Sequence, residues 1–221
     1  MKPHGGPDAP GSAAPAGPAL LDRRLAGARL ARFPAVTGPT GDPDGSAAAA
    51  VAITIVRRRS ELGIWMTRRA YTLRSHPGQF ALPGGRIDPG EDAPGAARRE
   101  LSEELGIDIG ADRVLGRLDD YRTRSGFVMS PVVLWAADTF IEPVPSPAEV
   151  AEVFFVPLTG IDVDPEFESY PETDRPVIRL PWHDGYLHAP TAAVIHQFRE
   201  VVLHDRHTRI DGYDQPPFAW R

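Results

Sequence analysis

The stretch from Gly85 to Ile107 constrains this chain more than any other segment. It reads GRIDPGEDAPGAARRELSEELGI. Nine of its positions follow the spacing G-x5-E-x7-R-E-aliphatic-x-E-E-x-G-aliphatic, which average residue usage would produce roughly once in ten million chains of this length. Those positions are Gly85, Glu91, Arg99, Glu100, Leu101, Glu103, Glu104, Gly106 and Ile107. Chance is therefore a poor explanation of the spacing.

Residues 92–105 are predicted to form a helix. Pro89 and Gly90 give a turn signal just before it, and acidic residues suit its first turn. Pro94 is tolerated near a helix start, and Gly106 is placed to end the helix. At 100° per residue, one apolar stripe runs along this helix. The stripe consists of Ala97, Leu101 and Leu105.

Three carboxylates crowd one arc of the predicted helix. Glu100 and Glu104 lie beside the apolar stripe, and Glu103 lies on the far side of Glu100. Like charges one turn apart destabilise a helix by a few tenths of a kcal/mol, which suggests that a cation belongs there. An all-oxygen set of ligands suits Mg²⁺ or Mn²⁺. The alternative is a solvated acidic face paired with Arg98 and Arg99.

The nine-position spacing matches the Nudix box, so the chain resembles a Nudix hydrolase. The resemblance implies an α/β (α+β) fold, an α/β/α sandwich with a mixed central sheet. It also implies hydrolysis of a diphosphate linkage by water, with Mg²⁺ or Mn²⁺ as cofactor. The implied metal ligands are Glu100, Glu103 and Glu104. A main-chain oxygen of Gly84 or Gly85 is expected to join them, with Gly85 preferred.

Other charged residues receive roles from the same resemblance. Arg99 is expected to position the box carboxylates, notably Glu91, and not to act on substrate itself. The general base stays open between Glu103 and Glu149, since the attacking water needs only a nearby carboxylate. Glu149 is favoured over Glu152 within the stretch AEVAEV. For both of these residues, the alternative is an exposed acidic patch at the start of a strand.

A second signature precedes the box. From Trp65 the chain reads WMTRRAYTLRSHPGQFALPGG, which resembles the pattern of the coenzyme A pyrophosphatase branch. The matching positions are Thr67, Arg69, Ala70, Arg74, Gly78, Pro83, Gly84 and Gly85. Trp65, Met66 and Leu82 depart from the pattern by apolar-for-apolar exchange, which affects packing more than chemistry. The implied products are 3′-phosphoadenosine 5′-phosphate and 4′-phosphopantetheine or its acyl derivative.

Arginines are the candidate substrate ligands, because one guanidinium group can donate two parallel hydrogen bonds to two phosphate oxygens. Arg69 and Arg74 are the preferred phosphate contacts, and Arg68 is a further candidate. The run at 57–59 is predicted to be a solvated hairpin tip. His76, between Ser75 and Pro77, is interpreted as a turn residue.

The substrate stays open between alternatives. His188 and Ala189 stand where the coenzyme A branch often has Trp-Gly. This departure keeps a Nudix pyrophosphatase for ADP-ribose, NADH or another nucleoside diphosphate derivative in consideration. A non-catalytic nucleotide-binding module is a third hypothesis, but such proteins commonly lack box carboxylates that this chain retains.

The chain is predicted to hold one domain with extensions at both ends. Residues 1–45 are expected to be a disordered or linker extension with a short amphipathic helix near 19–34. Residues 46–205 are expected to form the Nudix hydrolase domain, and 206–221 a C-terminal tail. Strands are expected at 47–56 and 63–69, which pair as a hairpin, and near 113–121, 127–137, 150–156 and 177–188. A closing helix is expected at 190–203.

Composition excludes several classes of protein. The 221 residues carry a net charge of −6, which argues against nucleic acid as a partner. There is no cysteine, which excludes disulfides and thiolate chemistry and accords with a cytoplasmic location. No apolar run approaches the roughly 18 residues of a membrane span. The Ala, Gly, Pro and Arg bias suggests a bacterial source, and the chain is expected to be a monomer or homodimer that binds a small nucleotide.

Overall fold

A computed structural model describes residues 21–38, 47–124, 126–183 and 185–220. The predictions for 1–18 and for most of 37–46 therefore lie outside the described residues. The strands are β1 (Ala47–Arg58), β2 (Glu61–Arg69), β3 (Phe80–Ala81), β4 (Gly84–Arg86), β5 (Val114–Arg117), β6 (Tyr121–Arg122), β7 (Phe127–Trp135), β8 (Val150–Pro157), β9 (Glu166–Glu168), β10 (Val177–Trp182) and β11 (Gly185–His188). The α-helices are α1 (Arg23–Arg32), α2 (Ala93–Leu105), α3 (Leu158–Ile161) and α4 (Thr191–Phe198). Short 3-10 turns lie at Ala111–Arg113 and Pro217–Trp220, and a π-helical turn at Arg199–Leu203 follows α4.

Strand β1 lies at the centre of the large sheet. Its apolar run is buried on both faces from Ala50 to Val56, which is why the sequence shows no polar alternation there. β1 pairs antiparallel with β2, with Ile55 opposite Ile64, and parallel with β7, with Ala50 opposite Ser130. The sheet is therefore mixed. The predicted hairpin of 47–56 with 63–69 is confirmed.

Successive residues of β1 enter two different cores, because side chains alternate across a strand. Ala50 and Ala52 pack with the apolar stripe of α2 on one face. Val51 and Ile53 pack with Ile195 of α4 and with the small sheet β9–β10–β11 on the other. The result is a helix, sheet and helix layering with a mixed central sheet. The predicted fold class is thus confirmed.

Helix α1 docks on the domain. The Asp22 side chain accepts a hydrogen bond from the Leu25 amide at 2.6 Å and so caps its first turn. Arg29 donates to the carbonyls of Val202 and Leu203 at 2.6 and 2.9 Å. Leu30 is buried in the core that α4 shares. The amphipathic helix predicted near 19–34 therefore exists over Arg23–Arg32 and packs within the same chain.

The later strands differ in part from the sequence prediction. A single strand near 177–188 is wrong, because the chain reverses at His183, where φ is 47°, and returns as β11 antiparallel to β10. The strand predicted near 113–121 is divided into β5 and β6. The predicted closing helix is α4 with its π-helical continuation. Among the described residues, no helix is long and apolar enough to cross a membrane.

Candidate active site

Helix α2 carries three of the box carboxylates, Glu100, Glu103 and Glu104, beside strand β4. Asp92 caps the helix by accepting from the Gly95 amide at 2.7 Å, and Gly106 ends it in the left-handed region with φ of 65°. A residue with a Cβ would be strained at Gly106. The apolar stripe of α2 is fully buried against β1. This packing sets the rotation of the helix and so the direction in which its glutamates project.

One guanidinium group binds three box carboxylates. Arg99 donates from Nε and Nη2 to the two oxygens of Glu91 at 3.1 and 3.0 Å. Its Nη1 donates to Glu100 Oε1 at 2.8 Å and to Glu103 Oε2 at 3.0 Å. Nη2 also donates to the Arg86 carbonyl at 2.8 Å, which ties α2 to β4. The hydrogen bond from Arg99 is the largest cause that lowers the pKa of Glu91. The geometry suits a positioning role for Arg99.

Glu100 lies against the backbone of β4. A Cβ placed at Gly85 would collide with the Glu100 carboxylate, so only glycine permits this close approach. Burial raises the pKa of Glu100, Arg99 opposes that shift, and the charges of Glu103 and Glu149 add to it. Glu100 therefore lies within electrostatic range of Glu103 and Glu149, and it also interacts with Glu104.

Glu104 is the most deeply buried carboxylate of the group. Only 5% of the residue is exposed, and its Oε2 has no hydrogen-bond partner among the described residues. The pKa of Glu104 is raised to about 8, chiefly by burial; the nearby Arg69 opposes this shift, and the charges of Glu100 and Glu149 contribute to it. An ionised carboxylate in such a place needs a compensating positive charge. A bound cation would supply that charge.

The residues present fit a hard divalent cation. Carboxylate oxygens are the ligands that Mg²⁺ and Mn²⁺ prefer, and the unpartnered Glu104 oxygen is one such donor. In the part of the chain that the structure describes, no three acidic or histidine side chains are already gathered as an ion site. Arg99 holds Glu100 and Glu103 instead. A cation would therefore compete with Arg99 for these two groups.

The two candidate glutamates after α2 occupy different surroundings. Glu149 is held through its backbone: its amide donates to the Ser146 carbonyl at 3.0 Å, and its carbonyl accepts from the Ala70 amide at 2.8 Å. Its charge acts on both Glu100 and Glu104. Glu152 pairs with Arg68 at 3.5 Å. Of the two, Glu149 is the one that the structure brings toward the box carboxylates.

The three candidate arginines for substrate binding lie in different surroundings. Arg69 lies near Glu104, and its buried Nε has no hydrogen-bond partner among the described residues. Arg68 packs over the Phe80 ring, 4.6 Å from its centroid, and pairs with Glu152. Arg74 is exposed in the loop between β2 and β3. The run at 57–59 is exposed at the end of the β1–β2 hairpin, where its solvated position was expected.

A cavity of about 500 Å³ opens beside the carboxylates. The large sheet contributes its floor, including Val51, Phe127 and Met129, and β11 contributes the opposite wall with His188. The residues where the cavity meets the carboxylate group are Arg69, Gly84 and Gly85. A volume of this size is within the range of ligand pockets, roughly 300–1,000 Å³.

The NUDIX domain model matches residues 46–180 of the sequence. The chain belongs to the Nudix hydrolase family. Nudix hydrolase 3 of Caenorhabditis elegans is 33% identical over 134 residues, which cover 58% of this chain and 56% of that protein. The uncharacterized Nudix hydrolase NudL of Escherichia coli K12 is 35% identical over 164 residues, covering 70% of this chain and 81% of NudL. The chain thus spans little more than half of the worm protein and most of NudL.

Among solved structures, the chain is similar to the M. smegmatis Nudix hydrolase RenU, with 19% identity, a TM-score of 0.47, and coverage of 74% of this chain and 93% of RenU. The NUDIX domain match contains α2, β4 and every residue proposed above as a metal ligand. It ends before β11 and the C-terminal segment. His188 and Phe218, which line the cavity, therefore lie beyond the Nudix match. The sequence singled out His188 as a departure but not Phe218, because an aromatic residue in a short segment after two prolines has no periodicity to mark it.

Proposed function

We propose that this Nudix hydrolase cleaves the diphosphate bond of coenzyme A or acyl-coenzyme A, with Mg²⁺ or Mn²⁺ as cofactor. One observation carries the proposal. Arg69, which belongs to the coenzyme A-like signature, lies where the cavity meets the box carboxylates, and its Nε has no partner among the described residues. The products would be 3′-phosphoadenosine 5′-phosphate and 4′-phosphopantetheine or its acyl form.

The proposed division of labour follows from the positions of the side chains. Glu100, Glu103 and Glu104 would hold the cation, and the Gly85 carbonyl would complete the protein's share of ligands. A bound cation neutralises the charge that develops on phosphoryl oxygens during displacement. Arg69 would bind the diphosphate from the cavity side, where its fork matches phosphate oxygens. Arg99 would keep the carboxylates oriented.

Hydrolysis also requires a proton acceptor. The oxygen of water forms a bond to one phosphorus, the bond from that phosphorus to the bridging oxygen breaks, and the leaving phosphate takes the electron pair. The water proton passes to a nearby carboxylate. Glu149 and Glu103 are the candidates. Glu149 is favoured because Glu103 is hydrogen-bonded to Arg99, whereas the charge of Glu149 already acts on Glu100 and Glu104.

A second candidate function has an observation of its own. His188 and Ala189, which replace Trp and Gly of the coenzyme A pattern, line the cavity. A changed cavity wall favours a pyrophosphatase for ADP-ribose, NADH or another nucleoside diphosphate derivative, with the same chemistry at the carboxylates. A non-catalytic nucleotide-binding module is disfavoured, because every box carboxylate is present.

Comparison of substrates tests the proposal directly. Purified protein would be incubated with Mg²⁺ and, separately, with coenzyme A, acetyl coenzyme A, ADP-ribose, NADH and 8-oxo-dGTP, and the products resolved by chromatography. Fastest release of 3′-phosphoadenosine 5′-phosphate supports the proposal. Preference for ADP-ribose or NADH would refute coenzyme A as the substrate but leave diphosphate hydrolysis as the reaction. No turnover of any of the five compounds would favour the non-catalytic nucleotide-binding module.

Two further expectations accompany the proposed function. A cytoplasmic site of action accords with a cysteine-free chain. A small nucleotide, and not nucleic acid, is the expected partner, because the net charge of −6 does not favour binding to a phosphate backbone. Size-exclusion chromatography with light scattering would decide between a monomer and a homodimer.

A further inference from the structure

The C-terminal segment is anchored onto the cavity by a buried aspartate. Asp214 accepts hydrogen bonds from Arg124 Nε at 2.9 Å and from the Thr173 hydroxyl at 2.5 Å. Its amide donates to the Pro176 carbonyl at 2.9 Å, and it bridges to Val177 at the start of β10. These contacts join the segment to the small sheet and to the loop before β7. The fold therefore sets the position of Asp214 and of Gln215, whose side chain accepts from the Arg124 amide at 2.6 Å.

Phe218, four residues after Asp214, lies at the cavity. Its ring centroid lies 5.2 Å from that of His188, edge to face, and the residue is 65% exposed. Tyr186, also at the cavity, has its ring centroid 6.4 Å from that of His188. Phe127 lies in the floor contributed by β7. Aromatic groups from β7, β11 and the C-terminal segment thus line the cavity, and most of the Phe218 surface is accessible to a ligand.

We propose that this aromatic wall, formed by Phe218, His188 and Tyr186, is a stacking site for the nucleobase of the substrate. The inference rests on the proposed function, because it names which part of a nucleoside diphosphate derivative occupies the side of the cavity that β11 and the C-terminal segment line. Planar bases stack on aromatic side chains, and such contacts contribute substantially to binding. The diphosphate would then extend toward Arg69 and Gly85, which line the same cavity.

The polar groups of the cavity favour a base over an acyl chain. The amide of Gln79 and the hydroxyl of Thr191 lie among the lining residues. A base has a flat apolar face for the rings and polar edge atoms for such groups, whereas the methylene groups of an acyl chain have no hydrogen-bonding atoms to offer them. Burial lowers the pKa of His188, so its imidazole is uncharged at neutral pH. An uncharged ring is suited to pack against a neutral base.

Binding of 5′-AMP tests the inference, with ribose 5-phosphate as the probe that lacks a base. Titration calorimetry of the full-length wild type would be compared with Phe218→Ala and with Phe140→Ala, whose phenylalanine is 53% exposed and does not line the cavity. We expect Phe218→Ala to weaken 5′-AMP binding about tenfold or more and Phe140→Ala to leave it unchanged. Ribose 5-phosphate should bind the wild type and Phe218→Ala equally.

Phe218→Leu controls for a loss of local packing in Phe218→Ala, because leucine keeps most of the apolar volume and removes the aromatic ring. It should weaken 5′-AMP binding nearly as much as alanine does, with an unchanged melting temperature. Equal affinities of wild type and Phe218→Ala for 5′-AMP would overturn the inference, as would selective loss of 4′-phosphopantetheine binding. Coenzyme A turnover by the wild type is measured separately, so 5′-AMP stacking without that turnover would refute the proposed substrate and leave the base site standing.

Discussion

The two ends of the cavity are built in opposite ways. At the carboxylate end, Glu100, Glu103 and Glu104 come from a single helix, and one arginine of the same helix holds two of them. At the aromatic end, His188 and Phe218 lie 30 positions apart in the sequence and meet through a sheet and an anchored segment. The first end depends on local spacing and the second on tertiary structure.

This difference suggests how chemistry and substrate choice are separated in the molecule. Side chains on one helix keep their mutual geometry as long as the helix exists, so the reactive groups tolerate changes elsewhere. A wall assembled from distant segments changes when any of those segments changes. We therefore expect substitutions at the carboxylate end to reduce turnover and substitutions at the aromatic end to alter substrate affinity.

Glu100→Gln should produce the largest effect. The variant keeps the shape of the side chain and removes the negative charge that lies against Gly85, so turnover should fall by about two orders of magnitude or more. Steady-state kinetics with coenzyme A and a thermal melt would separate lost chemistry from lost folding. Glu152→Gln, which removes the exposed partner of Arg68, is the matched control. Near-normal turnover with intact metal binding in Glu100→Gln would refute its assignment.

Arg99→Lys should come next. Lysine retains the positive charge but cannot bind Glu91, Glu100 and Glu103 at once, because it lacks the planar fork. We expect kcat to fall about 10- to 100-fold with little change in KM, and half-maximal activity to require more Mg²⁺. The neighbouring Arg98→Lys replaces a group that donates to the Ile109 carbonyl. Identical kinetics for the two variants would show that the fork of Arg99 has no special role.

Arg69→Ala tests the point where the two ends meet. Loss of a charged hydrogen-bonding group should raise KM for coenzyme A about tenfold or more, while kcat changes less. Arg59→Ala is the control, because Arg59 is exposed at the hairpin turn. If both substitutions raised KM equally, the rise would reflect the lower positive charge of the protein. The proposed contact between Arg69 and phosphate would then be refuted.

Much of the carboxylate end could be predicted from the sequence. The α2 helix, its Asp92 and Gly106 ends and its apolar stripe follow from local rules of capping and periodicity. The pairing of β1 with β2 also follows, because a short turn joins two apolar runs. These features depend on residues that are close together in the chain, so a local pattern contains the information.

The aromatic end is predicted less completely. The reversal at His183 divides a segment that is predicted as one strand, although the Asp184-Gly185 pair directly after it is a turn signal typical of hairpins. The anchor of Asp214 joins it to Arg124 and Thr173, which lie 90 and 41 positions away. Arg68 was a candidate substrate ligand by sequence, but its contacts with Phe80 and Glu152 depend on strands that only the fold brings together.

Asp214→Asn would loosen the aromatic end without touching the carboxylates. The hydrogen bond from Arg124 is the largest cause that lowers the pKa of Asp214 in the folded protein. A lowered carboxyl pKa stabilises the fold above the ordinary aspartate value of about 3.9, and that stabilisation is lost as the pH falls through the folded-state pKa. The variant should lose about 2 kcal/mol of unfolding free energy at pH 7, and bind 5′-AMP more weakly.

Urea unfolding of wild type and Asp214→Asn across pH 2.5 to 8 would measure this dependence. The difference in unfolding free energy should be constant above about pH 5 and narrow below about pH 4. Asp211→Asn is a suitable control, since Asp211 is exposed and close by in the sequence. A difference that stayed constant down to the lowest pH would mean that the charge of Asp214 does not anchor the segment.

Arg74→Ala should have the smallest effect on KM. It tests whether the substrate-binding region extends beyond the cavity into the loop after β2. Its resemblance-based role is phosphate contact, but the side chain is exposed in the loop after β2 and lies outside the cavity lining. Exposed charges attract a distant phosphate only weakly and are screened by salt. We expect KM to change less than about threefold, with the change abolished at high ionic strength. A rise in KM as large as that of Arg69→Ala, and unaffected by salt, would mean that the loop from Tyr71 to Gln79 closes over the substrate. The carboxylate end would then depend on tertiary structure as well.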